Sequence, residues 1–142
     1  MLVPVKPEAI RHARETAGLT QHQLAREIGI AGGERISKWE LGTAVPRLHV
    51  VSAMARVLNV DLEAFLAPGW QLTGIARLRA SQELSVTAAA KECHVSVATY
   101  ERWEKGETLR GPTGGSLARL AKVMQVSEQE AAAAFQQSKG QR

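Results

Sequence analysis

A single cysteine, Cys93, stands in a chain of 142 residues. One thiol cannot close a disulfide within the chain or build a cysteine metal cluster. Aromatic residues make up only 4%, so a core must come from Ala, Leu, Val and Ile. No apolar run approaches the roughly 20 residues that cross a bilayer as a helix. No segment alternates apolar and polar residues with the period of a strand, so an all-α protein is expected. Met1-Leu2-Val3-Pro4-Val5-Lys6 lacks the charged-then-apolar order of a secretory leader. These absences point to reducing, cytoplasmic surroundings. His12, His22 and His49 lie on separate elements with no metal-ligand spacing. Gly32-Gly33 lacks the lysine and hydroxyl of a phosphate loop. No nucleophile–base pair can be assembled, so neither catalysis nor a cofactor nor a metal is expected.

The chain does hold one pattern twice. Leu19-Thr20-Gln21-His22-Gln23-Leu24-Ala25 leads to Ile36-Ser37-Lys38-Trp39-Glu40-Leu41-Gly42. Leu84-Ser85-Val86-Thr87-Ala88-Ala89-Ala90 leads to Tyr100-Glu101-Arg102-Trp103-Glu104-Lys105-Gly106. The Leu-to-Trp spacing is 39 − 19 = 20 in the first copy and 103 − 84 = 19 in the second. A duplicated helical unit of this size predicts two small domains, 1–67 and 72–142, with 68–71 as a short linker. Ala67-Pro68-Gly69-Trp70 breaks the helical pattern there. Trp70 either wedges the domains together or marks a partner site.

The helix signals are local. Pro7 suits the first position of a helix that runs to Ala17 and stops at Gly18. Thr20 caps the second helix, with Gln23 completing a capping box. Gly29 marks a turn. The third helix is placed at about Gly33 to Leu41, with Ile36 and Trp39 inward, and Gly42 ends it. A fourth spans about Leu48 to Leu58, and Asp61 caps a short fifth that holds Phe65 and Leu66. In the second copy Ser85 and Ser96 cap helices, and His94 takes the left-handed turn position. Cys93 falls on the core side. The loop from Thr108 to Gly115 is longer, and a helix starts near Ser116. Ser127 and Glu130 form another capping box. The tail Ser138–Arg142 is expected to fray.

Gly18-Leu19-Thr20-Gln21, Leu24-Ala25, Ile28-Gly29, Ile36-Ser37-Lys38-Trp39-Glu40-Leu41-Gly42 and Pro46 together resemble the Cro/lambda-repressor helix-turn-helix family. The resemblance covers about 6–66, and 72–136 resembles a diverged copy. It implies two tandem five-helix DNA-binding domains. It also implies contacts to double-stranded DNA from Thr20, Gln21 and His22, with Gln21 on a phosphate. Gly33, Glu34, Arg35, Ser37 and Lys38 would meet base edges and backbone, and Thr43 and Arg47 would touch phosphate. Donors on the outer face of the third helix can read guanine or adenine edges in the major groove. The extra residue at Gly32-Gly33 shifts the start of that helix and would let backbone approach DNA closely.

The second copy has Val86 where Gln21 stands and His94 where the turn glycine stands. Ser96, Val97 and Ala98 begin its third helix, where Val97 and Ala98 can touch a thymine methyl but cannot form a bidentate bond. Arg102, Lys105 and Arg110 remain as phosphate binders. Residues 1–67 hold 8 basic and 7 acidic side chains, and 68–142 hold 10 and 7. A net charge of +4 favours a polyanionic partner. The expectation is a sequence-specific, nucleoid-associated transcriptional regulator, acting as a repressor. Its second domain would add phosphate contacts or make a homodimer. The alternative is an adaptor or antitoxin whose second domain grips a protein partner, with no membrane involved.

Overall fold

The computed structural model describes residues 3–107 and 110–139. Among them are nine α-helices and one 3-10 turn, with no strand beyond an isolated antiparallel bridge, Val5 to Leu66. The backbone divides between Gln71 and Leu72 into two compact units.

The first unit opens with α1, Pro7–Thr16, where the proline occupies a position whose N–H would have no helical partner. Gly18 follows at φ +74. In α2, Gln21–Glu27, the Thr20 hydroxyl accepts from Gln23 N–H, and the Gln23 side chain accepts from Thr20 N–H. Both halves of the capping box form. α3, Glu34–Leu41, follows Gly33 and ends at Gly42, φ +78. α4 spans Leu48–Leu58.

The fifth element is a 3-10 turn, Leu62–Phe65, and Asp61 makes no side-chain cap there. Its backbone bonds span three residues, Ala64 N–H to Asp61 C=O and Leu66 N–H to Glu63 C=O. Four residues are too few to repay an α-helical nucleus. Lys6 N–H bonds Phe65 C=O at 2.7 Å and Ala67 N–H bonds Pro4 C=O at 2.9 Å, so the ends of the unit are tied together. Ile10, Leu24, Ala25, Ile36, Trp39, Val51, Met54 and Phe65 form its core.

The second unit comprises α5 (Gly74–Ser81), α6 (Val86–Glu92), α7 (Val97–Lys105), α8 (Gly114–Met124) and α9 (Glu128–Lys139). Ser85, Ser96 and Ser127 each accept from the backbone N–H three residues on, as their capping positions require. His94 sits at φ +60. Tyr100, Trp103, Cys93, Leu120, Met124 and Phe135 pack its core, Tyr100 and Trp103 edge to face with ring centres 6.1 Å apart.

Two boundaries move. α8 begins at Gly114 rather than near Ser116; Thr108 and Leu109 of the preceding loop lie outside the described residues. α9 runs to Lys139, so the tail does not fray from Ser138. Ser138 is 1% exposed. Its hydroxyl accepts from Ile75 N–H and donates to Ala134 C=O. The rest of the tail, 140–142, is outside the described residues. What holds the end of α9 is close backbone approach. A Cβ on Gly106, φ +65, would stand 2.5 Å from Lys139 Cα. One on Gly74 would stand 2.5 Å from Ser138 Oγ.

Candidate nucleic-acid interface

The helix pair α2–α3 is built from the buried side outward. Ile36 and Trp39 spend one face of α3 on the core. Helical spacing then turns Glu34, Arg35, Lys38 and Leu41 to solvent, and all four are exposed. Ser37 is half-buried. The start of α3 lies against the start of α2. A Cβ on Gly33 would be 3.0 Å from Gln21 Cβ and from His22 N. Gly33 has φ −91, so its glycine serves this close approach to α2 rather than a left-handed turn. Gln21, His22, Gly33 and Glu34 are thus brought together.

Several expected contact residues already have internal partners. The Thr20 hydroxyl oxygen accepts its cap bond from Gln23 N–H, a bond that does not use its own O–H. Thr43 Oγ1 donates to Lys38 C=O at 3.2 Å, closing the end of α3. The Arg35 guanidinium lies 5.5 Å from the centre of the Trp39 ring, a cation–π distance. That holds its stem across the helix while its donors stay exposed. Arg47 is exposed at the start of α4, and His22 is exposed on α2.

Behind this face sits a network that sequence reading missed. Arg14 of α1 donates to both oxygens of Glu40 on α3, Nε to Oε2 at 2.6 Å and Nη2 to Oε1 at 2.9 Å. Its Nη1 donates to Leu19 C=O, just ahead of α2. Gln21 Nε2 donates to the same Glu40 Oε1 at 3.1 Å. Burial by itself would raise the Glu40 pKa, but the bonds from Arg14 and Gln21 outweigh it and hold the carboxylate below its ordinary value.

The second unit repeats the pair. Arg79 Nε and Nη2 donate to Glu104 at 2.6 and 3.1 Å, and Nη1 donates to Leu84 C=O. Here the side chains are 2% and 3% exposed. The nearby Tyr100 hydroxyl is buried with no hydrogen-bond partner among the described atoms. Burial, then the neighbouring Glu104 charge, raises its pKa. A signal for both pairs was present in the sequence: Arg falls five residues before the Leu, and Glu follows the Trp, in each copy.

On α7, Ser96 caps Thr99 through backbone and hydroxyl. Val97 is 38% exposed, and Ala98, Arg102, Lys105 and Arg110 are exposed. The solvent face of α7 is therefore apolar at its start and basic at its end.

A helix-turn-helix family model of Cro/C1 type matches residues 10–65 and again residues 75–130. The chain belongs to that helix-turn-helix family. Both halves of this tandem protein carry the family's DNA-binding, regulatory architecture. A curated relative, the Vegetative-specific protein H7 of Dictyostelium discoideum, is 39% identical over 61 residues. That stretch is 43% of this chain and 58% of the relative, so under two thirds of the relative's length is spanned. No solved structure matches. Among the described residues no helix is long and apolar enough to cross a membrane, and no group of three His, Cys, Asp or Glu gathers to hold a metal ion.

Proposed function

We propose that the chain is a sequence-specific transcriptional regulator, acting as a repressor, with residues 1–67 reading DNA and 68–71 joining them to a second domain, 72–142. One observation carries this reading: the solvent face of α3 presents Glu34, Arg35 and Lys38 beside the starts of α2 and α3. Arg35 and Lys38 supply donors for guanine edges or phosphate, and Glu34 can accept from a cytosine amino group. Gln21, His22 and Arg47 flank that face and would fix its register on the backbone, whereas Thr43 spends its donors on Lys38 C=O. In the second domain, Arg102, Lys105 and Arg110 would add phosphate contacts, while Val97 and Ala98 offer little hydrogen-bonded readout.

Selection from a random duplex library tests this, followed by salt titration of the winning site. A single enriched motif is expected, with log K falling linearly in log salt by about 0.9 per phosphate contact. Arg35→Ala should relax the preference at one position and cost about 1–3 kcal/mol. No enrichment, with binding lost near physiological salt, would overturn the reading.

The exposed Val97, adjoining Ala98 on α7, favours a second reading. In it that face pairs with another copy or with a protein partner. Sedimentation of wild type and Val97→Asp with and without the selected duplex separates the two. A dimer lost only in the variant supports pairing.

A further inference from the structure

The shared acceptor on Glu40 has a consequence for which way the Gln21 amide faces. A glutamine amide offers two N–H donors on Nε2 and an acceptor on Oε1. Glu40 is an ionised, acceptor-only carboxylate, held so by two bonds from Arg14. It can therefore be approached only by Nε2, and a flipped amide would set oxygen against oxygen. With one N–H on Glu40, the second N–H of Gln21 remains to be offered at the start of α2. The hydrogen-bonded network thus decides that Gln21 presents a donor.

The second unit supplies an internal control. Arg79, Glu104 and Leu84 make the same three bonds, yet Val86 stands at the first position of α6. The ion pair does not need an amide to form. In the first unit the amide has been added to it.

We infer that Arg14 and Glu40 are positioning residues that preset Gln21 as a phosphate donor, so that the first domain carries an oriented backbone anchor that the second lacks. This rests on the DNA-reading proposal for the first domain. An anchor of this kind is neutral. It adds affinity without releasing a counterion, unlike a lysine or arginine contact.

The test is a double-mutant cycle in the full chain, using the selected duplex. Gln21→Met should weaken binding about tenfold to a hundredfold, the worth of one hydrogen bond to a charged group, with the salt slope unchanged. Glu40→Gln should weaken binding by a similar factor when Gln21 is present and hardly at all in the Gln21→Met background. Equal losses from Glu40→Gln in both backgrounds would show a merely structural role and overturn the inference. Should Glu40→Gln fail to fold, the wild-type side-chain amide resonances of Gln21 decide the matter. At saturating duplex one of the two Nε2 protons should shift strongly; no shift in either overturns the proposal. If wild type itself selects no duplex, the reading of the first domain has failed and this inference falls with it. Selective binding without coupling sinks the inference alone.

Discussion

Removing one partner of the buried ion pair in the second unit should cost far more than removing both. Glu104→Ala leaves the Arg79 guanidinium at 2% exposure, with the Leu84 carbonyl as its remaining described partner. An uncompensated buried charge costs about 3–5 kcal/mol. A unit of roughly 70 residues has about 4–10 kcal/mol of total stability at the usual 0.05–0.15 kcal/mol per residue. The variant's second unit should therefore lie close to unfolding at room temperature. Arg79→Met with Glu104→Leu removes both charges and keeps the volume apolar. That double change should cost less than about 1 kcal/mol and can be stabilising.

The first unit provides the scale. Arg14 is 11% exposed, so Glu40→Ala leaves a guanidinium that water can reach. Its cost should be smaller, about 1–3 kcal/mol. Trp39 and Trp103 each lie in the core of their own unit. Urea titration followed through the two indole N–H resonances therefore reads both units in one sample. The reasoning is refuted if Glu104→Ala shifts the Trp103 transition by less than about 1 kcal/mol. It is also refuted if the apolar double replacement costs as much as the single one.

Tyr100→Phe deletes a buried hydroxyl that has no described partner, so thermal melting should show it neutral or stabilised; a loss above about 1 kcal/mol would mean the hydroxyl is bonded. Gly106→Ala forces a Cβ to 2.5 Å from Lys139 Cα, whereas Gly42→Ala meets only the Pro7 ring at 3.3 Å. Both carry the left-handed penalty of about 1–2 kcal/mol, and Gly106→Ala should lose clearly more by releasing the end of α9, read as the difference in urea midpoints. The Glu40 pKa lies below its ordinary 4.5 in the folded state. Its contribution is therefore present above pH 4.5 and lost as pH falls through the lowered value. The Trp39 urea midpoint should drop as pH falls below 4.5 in wild type, and less in Glu40→Gln. The Cys93 thiol is pushed up to about 11, by burial first and then by the Glu92 charge. A thiol reagent at neutral pH should modify it only as fast as the second unit opens, and sub-denaturing urea should accelerate the reaction.

What could be read from the sequence is what acts over short distances along the chain. Thr20 with Gln23, Ser85 with Ala88 and Ser96 with Thr99 are three apart, and each cap forms. Ile36 and Trp39 are three apart and share one buried face. Arg14 and Glu40 are joined across 26 positions. Nothing near Arg14 distinguishes it from the exposed Arg11, one turn earlier on the same helix. Only the repetition of Arg and Glu in both copies points to the pair. Ser138 and Lys139 mislead for the same reason. Locally they read as a polar end, but Gly74 and Gly106, more than thirty residues away, leave space for them. Asp61 is a fair capping residue, yet the helix after it is too short and too tightly wound to use the cap. For the candidate interface, exposure of Lys38 and Arg35 follows from helical period. The turning of Gln21 toward Glu40 does not, because it depends on where α3 comes to rest against α2.

The two copies separate what holds the fold from what a surface can recognise. The ion pair, the Leu carbonyl it clamps and the buried Trp are the same in both units. The exposed face of the third helix is nearly inverted. In α3 the polar residues Glu34 and Arg35 come first, and the apolar Leu41, 73% exposed, comes last. In α7 the apolar Val97 and Ala98 come first, and Lys105 comes last. None of these outward residues belongs to its unit's buried core, so their chemistry can change at little cost in stability. Had both faces been needed to read the same half-site, substitution on one would carry a penalty that its fold does not impose. The retained interior with a rewritten exterior instead fits two domains that share a scaffold and divide the work. A basic end without donors at its start can grip a phosphate backbone but discriminates poorly between bases. The donor-bearing start of α3 is suited to the opposite task. The shared fold is therefore no argument that both domains bind in the same way, and the inversion along the third helix is an argument that they do not.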